Sequence, residues 1–145
     1  MIGEMQALIR SKDICVLATV SGNEPHCSLM SYVTDDDCRE FFMVTSRKTK
    51  KFRNLLQNET VSLLIDTREE DTGQKRAGIR ALTVSGVFQK IEDKGKESLY
   101  RDQLLARHPH LREFAESGDA QVFCIRAKSF QLLKGVSQSY FEVIE

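Results

Sequence analysis

The 145-residue sequence predicts a mostly β fold: a small closed antiparallel barrel with peripheral helices. Three observations carry that prediction. Six segments are rich in β-branched and aromatic residues, and the first three are joined by short turns that demand antiparallel neighbours. The segments with helical periodicity are short. A sheet of about six strands in so small a chain hides its edges by closing on itself.

The elements follow in order. Ile2, Met5, Leu8 and Ile9 share one helical face, so residues 1–12 open the chain as a helix. "DICVLATV" at 13–20 is β-rich, "SGNEP" at 21–25 has turn chemistry, and "HCSLMSYV" at 26–33 alternates as a second strand. Asp35, Asp36 and Asp37 form a polar turn before a third strand at 40–44. A helix is expected over 49–57, then a fourth strand, "TVSLLID", at 60–66. Residues 67–78 read as a flexible loop. A long fifth strand spans 79–91, with Gly86 marking a bulge or bend. Asp93 caps a helix running to about Arg107, and Pro109 starts a shorter one to about Glu116. "AQVFCIRAKSFQLL" at 120–133 is the last strand, and a tail follows, ending "SYFEVIE". No repeat or linker interrupts this order, so residues 1–145 read as a single domain.

Composition narrows the function classes. Charge balances at 21 basic against 21 acidic residues, and only Phe52 stands near the basic run, which argues against a nucleic-acid-binding face. No stretch approaches the ~20 apolar residues of a membrane span, and the N-terminal segment lacks the features of a signal peptide. Cys15, Cys27, Cys38 and Cys124 show neither CxxC nor zinc-like spacing. They read as buried free thiols in a reducing cytoplasm, with metal or redox work as the alternative.

The informative stretch is "VTSRKTKKFRNLL" at 44–56. An apolar strand runs into an amphipathic helix, and Arg47, Lys48, Lys50, Lys51 and Arg53 crowd the join. Cations belong at the negative end of a helix dipole, and these sit at the positive end. An uncapped helix start offers open N–H groups. With Lys50, Lys51 and the hydroxyls of Thr45 and Ser46 it would make a cradle for a phosphate, which would offset the like-charge repulsion. The competing reading is a solvated basic face. Neither GxxxxGK[ST] nor GxGxxG is present, so any phosphate is held by a different strand-to-helix junction.

"LATVSGNEPHCSLMSYV" followed by "FFMVTSRKTKKFRNLLQNETVSLLID" resembles the family typified by pyridoxamine 5′-phosphate oxidase. The resemblance extends over about residues 13–133 and is strongest over 17–66. It implies a six-stranded antiparallel FMN-binding split barrel acting as a homodimer, with a flavin in each of two clefts between subunits. It places the second-strand phosphate contact at His26, where the family usually carries an arginine, and the ribityl and ring contacts at Ser28 and Met30. The strand-three contacts fall on Val44 and Thr45 with Ser46 adjacent, the basic pair on Lys50 and Lys51, and a looser ring-edge contact on Arg80, Ala81 and Leu82. The oxidase proper carries an Arg-x-His-type segment and a tryptophan for pyridoxal phosphate. This chain ends "LLKGVSQSYFEVIE" and has no Trp, so that activity is not expected. The expectation is an FMN-dependent oxidoreductase acting on a small molecule, with reduced nicotinamide as a possible donor. A non-catalytic flavin-binding or sensor protein is the alternative.

Other residues carry weaker signals. His26 is either a phosphate donor or a partly buried strand histidine. His108 and His110 flank Pro109 and read as exposed imidazoles in a helix connection. Arg126 and Lys128 suit a solvated barrel face. Tyr140 and Phe141 pack either on a partner subunit or over a barrel end. No acid, base or nucleophile is assignable, so any redox chemistry would belong to the cofactor.

Overall fold

The computed structural model describes residues 1–144; Glu145, the end of the tail segment, lies outside them. Helix α1 (Ile2–Ser11) buries Met5, Leu8 and Ile9, the face that its apolar spacing dictates. Strands β1 (Ile14–Ser21) and β2 (Glu24–Ser31) form a hairpin in continuous register from Ile14↔Ser31 to Ser21↔Glu24. Gly22 supplies the positive φ of 58° that the turn needs. β2 is interrupted at Tyr32, and β3 (Val33–Thr34) pairs with the start of β4 (Glu40–Ser46). The Asp35 carboxylate fastens that turn by accepting from the amides of Arg39 (2.9 Å) and Glu40 (3.1 Å).

Helix α2 (Lys50–Gln57) leads to β5 (Thr60–Asp66), which pairs with both β1 and β6 (Arg80–Gln89). Helix α3 (Lys94–Arg107) starts at Asp93, whose carboxylate accepts from the amides of Gly95 and Lys96. A 3₁₀ turn (Pro109–Leu111) and α4 (Arg112–Ala115) carry the chain to β7 (Ala120–Lys134). The expected flexible loop at 67–78 contains a 3₁₀ turn, Gly73–Gly78. It is anchored by buried Thr67, whose hydroxyl accepts from the Arg80 amide at 2.9 Å.

The sheet order is β2-β1-β5-β6-β7-β4-β3, with β8 (Gln138–Val143) paired to the far half of β7. This corrects the sequence expectation in three respects. Among the described residues there are eight strands and not six, because the tail adds β8 and a break at Tyr32 splits off β3. The second and third predicted strands pair only through Val33 and Thr34, while β4 lies along β7 in register from Glu40↔Arg126 to Ser46↔Ala120. Among the described residues no ladder joins β2 to β4, so the barrel is split, as the family resemblance implies, and not closed as the strand pattern alone suggests. Within the tail, Tyr140 packs against the core under Lys134, whose Nζ lies 5.7 Å from the ring centroid, whereas Phe141 is exposed.

Phe41, Met43, Leu63, Leu82, Phe123 and Ile125 fill the interior with the buried faces of α1 and α2. On the opposite face of β4, Phe42 and Val44 pack with Leu104 and Val122, and Phe42 stacks on Tyr100 at 3.6 Å. Burial on both faces is why "FFMV" is apolar without alternation. Arg126 and Lys128 are exposed, as a solvated outer face requires. Among the described residues no helix is long and apolar enough to cross a membrane.

The register of β6 against β7 shifts between Ser85 and Gly86, the bulge that the glycine predicted. A Cβ at Gly86 would meet the Arg126 carbonyl oxygen at 2.7 Å and Ile125 Cγ2 at 2.9 Å. Backbone cannot yield cheaply there. Gly86→Ala is therefore expected to destabilise the fold by about 1–3 kcal/mol in urea denaturation; an unchanged midpoint would show that the bulge tolerates a side chain.

Candidate functional site: the cleft along the barrel seam

The β4–α2 junction sorts its cations one by one. The Arg47 guanidinium donates to the carbonyls of Gly118 (2.6 Å) and Ala120 (3.3 Å). Lys48 lies 3.2 Å from the Asp119 carboxylate, and Arg53 donates to the Lys48 carbonyl at 3.0 Å. The Lys50 ammonium lies 4.0 Å from the Glu24 carboxylate, with its side chain 52% exposed. Lys51 alone turns inward. It is half-buried, its Nζ donates to Thr45 Oγ1 at 3.2 Å, and among the described residues it has no carboxylate partner. Burial holds its pKa below the ordinary value of 10.5. A half-desolvated cation without a counter-ion carries an electrostatic cost.

The helix start is capped, contrary to expectation. Thr49 Oγ1 accepts from the Phe52 amide at 3.2 Å, while the Ser46 carbonyl receives the Thr49 amide and hydroxyl. That leaves the amides of Lys50 and Lys51 without a hydrogen-bond partner among the described residues. The helix itself is fixed from beneath. Asn54, 3% exposed, donates from Nδ2 to Thr19 Oγ1 on β1 at 3.2 Å.

Beside this junction a cleft of about 600 Å³ occupies the seam that no ladder closes. Ile14, Leu29 and Met30 form one wall and Val44, Thr45, Thr49 and Lys51 another. The connection after α3 supplies a third, through His108, His110, Leu111 and Phe114. A largely apolar concavity with a few convergent polar groups is the usual form of a small-molecule site.

Of the residues singled out in the sequence, the cleft gathers Met30, Val44, Thr45 and Lys51. His26 and Ser28 alternate with Met30 on the same inward face of β2, His26 standing opposite Thr19, on which α2 rests. Ser46 builds the turn, its hydroxyl accepting from the Lys48 amide at 3.2 Å. Lys50 points toward Glu24, outside the cleft lining. Arg80, Ala81 and Leu82 lie on β6, separated from β2 by β1 and β5, with Leu82 in the core and Arg80 3.9 Å from Glu4. Within one chain these three do not reach the cleft lining.

Two side-chain expectations are corrected. His108 is 3% exposed, because the Tyr32 carbonyl, 3.1 Å from its Nε2, gives the ring a buried partner; His110 is exposed as expected. Cys27 is exposed on the outer face of β2, while the other three cysteines are buried. Burial pushes the Cys15 thiol up to about 12 and raises Cys38 and Cys124 as well, so these three are inert hydrophobes. Among the described residues no group of three His, Cys, Asp or Glu side chains could hold a metal ion. His108 is the residue that sequence reasoning missed, since its burial depends on a backbone carbonyl 76 positions away.

Fold and cleft together define an antiparallel split barrel with a cleft along its seam. The profile described as "Pyridoxamine 5'-phosphate oxidase" matches residues 1–134, and the chain belongs to that family. No curated protein matches it in sequence. Among solved structures it is similar to a heme-binding protein from Mycobacterium smegmatis (TM-score 0.85, 17% identity), covering 98% of this chain but only 57% of that one. It is also similar to HutZ, the heme storage protein from Vibrio cholerae (TM-score 0.75, 20% identity, 92% of this chain and 93% of that one). A FAD-binding protein from Mesorhizobium loti matches at TM-score 0.72 and 18% identity, over 89% and 91% of the two chains. At these identities the likeness concerns the fold.

Proposed function

We propose that the chain is an FMN-binding flavoprotein that seats the cofactor phosphate at the β4–α2 junction. The observation that carries this reading is Lys51: half-buried, without a counter-ion among the described residues, and hydrogen-bonded only to Thr45. A phosphate monoester brings close to two negative charges. It would accept from Lys51 Nζ, the Thr45 hydroxyl and the open amides of Lys50 and Lys51, and so meet needs the empty junction leaves unmet. His26 and Ser28, in line with Met30, suit the sugar-alcohol chain, and Ile14, Met30 and Val44 offer apolar contact to a flat ring. When bound, FMN would supply a ring that accepts a hydride. The protein's part is to bind, orient and exclude water. A small molecule or reduced nicotinamide as electron donor fits this class, and a non-catalytic flavin carrier is the alternative. Turnover of reduced nicotinamide faster than by free flavin would separate them.

A second copy of the chain completes the site in this reading. The outer face of β1, β2 and β5 exposes Leu29 (71%) beside Ile14 and Leu64, an apolar surface that a partner would cover. Arg80 and Ala81, remote from the cleft of their own chain, would serve the flavin of the other, whereas the Leu82 side chain is fully buried in its own core. Light scattering of the FMN-loaded protein is expected to give a dimer; a monomer that keeps tight FMN would contradict the shared site.

Heme is the second reading. It is favoured by exposed His110 on the cleft wall beside Leu111 and Phe114, and by the M. smegmatis and V. cholerae neighbours. Titration with FMN, riboflavin and hemin separates the two. FMN is expected to bind more tightly than riboflavin. Lys51→Ala is expected to weaken FMN roughly ten- to hundredfold, the worth of one charge-assisted hydrogen bond, and to leave riboflavin unchanged. Tight hemin binding lost on His110→Ala, with no preference for FMN over riboflavin, would replace the flavin reading with the heme one.

A further inference from the structure

His108 closes α3 and is locked by its backbone: its amide donates to the Leu104 carbonyl (2.8 Å), and its carbonyl accepts from Leu111 (3.0 Å). The side chain is fixed as well, with Nε2 3.1 Å from the Tyr32 carbonyl oxygen. A carbonyl can only accept, so Nε2 carries a proton toward Tyr32, and in the Nε2–H tautomer the lone pair lies on Nδ1. Tyr32 cannot drift away from this contact. Its amide donates to Asp13 at 3.0 Å and its hydroxyl to the Ile9 carbonyl at 2.6 Å.

Nδ1 has no hydrogen-bond partner among the described residues. Yet no described buried side-chain nitrogen or oxygen is sealed away without a partner. Nδ1 must therefore open on space, and the space that His108 lines is the cleft. The residue is only 3% exposed, so little of the ring besides reaches that space.

We infer that His108 Nδ1 is the hydrogen-bond acceptor through which the cleft recognises its ligand, taking an N–H or O–H of the bound molecule. At the β4–α2 wall the Lys51 ammonium and the Thr45 hydroxyl are donors suited to an anion, while Asp13 and Ser31 at the β1–β2 wall offer oxygens, so His108 Nδ1 adds an acceptor on the third wall. An acceptor on a separate wall selects for a molecule that is anionic at one point and donates at another. FMN has that character, with a phosphate at one end and ring N–H and chain hydroxyl donors along its length; the inference rests on the flavin reading above. His110 does not share the role, since its ring stands edge-on 5.9 Å from that of His108 and is exposed.

The test pairs His108→Gln with ring ¹⁵N spectra of the parent protein. Glutamine can keep a donor on the Tyr32 carbonyl while removing the Nδ1 acceptor. The variant is expected to melt within a few degrees of the parent and to bind FMN roughly three- to tenfold more weakly, the worth of a neutral hydrogen bond. Riboflavin should lose the same factor, because it shares the ring and the hydroxyl chain; the Lys51 effect spares riboflavin. In the parent the Nδ1 resonance should move on adding FMN, a readout that decides the matter even if the variant does not fold. A parent that takes up no FMN sinks both readings. A parent that binds FMN with an unmoved Nδ1 resonance, or a variant that binds both flavins like the parent, overturns this one alone.

Discussion

The seam between β2 and β4 is the constraint on which the rest of the molecule depends. The break at Tyr32 separates β3 from β2, and β4 finds its long partner in β7 instead. Two strands that face each other without a ladder leave a gap in the barrel wall, and that gap is the cleft. α2 starts at one side of it because β4 ends there, which brings Lys51 inward against Thr45. The connection after α3 reaches it because the His108 ring hangs on the Tyr32 carbonyl, so the residue that opens the seam also furnishes one of its walls.

The basic run looks misplaced only while its five cations are treated alike. Arg47 and Arg53 cap carbonyls, Lys48 meets Asp119, and Lys50 leans toward Glu24. These are structural or solvent-screened roles that contribute little each. The electrostatic cost concentrates on Lys51, which gives up hydration without gaining a carboxylate. The positive end of the α2 dipole adds to that cost. In the proposed reading a dianion at this junction would offset that cost, since burial is what lowers the pKa of Lys51.

Much of this architecture was legible in the sequence. β5 fell at its observed bounds, Asp93 capped α3, and Gly86 marked the bulge, because period-2 burial, Asx capping and the missing Cβ are local signals. β8 was missed because "SYFEVI" has alternation but no length, and its partner lies in the second half of β7. Closure was overread, since pairing between β2 and β4 is a long-range matter decided by the backbone at Tyr32. Within the site, Thr45 and Lys51 were legible from the strand-to-helix junction, whereas the divergence of Lys50 from Lys51 follows from the roughly 100° turn between successive helical residues. His108 gave no local signal, its role being set by a carbonyl far away in the chain.

The central claim is that the Lys51 ammonium receives the cofactor phosphate, and proton linkage tests it most directly. In the empty protein the pKa of Lys51 lies below 10.5; a dianion beside it would raise that pKa. At alkaline pH, between the lowered and the restored values, FMN binding should draw protons from solution, and the uptake should vanish toward neutral pH, where Lys51 is already charged. Calorimetric titration in buffers of different ionisation enthalpy measures this uptake. Carrying it out on the parent and on Lys51→Met cancels the titration of the flavin itself. The account predicts an alkaline proton uptake in the parent that is absent from the variant; equal uptake in the two would mean that the phosphate sits elsewhere.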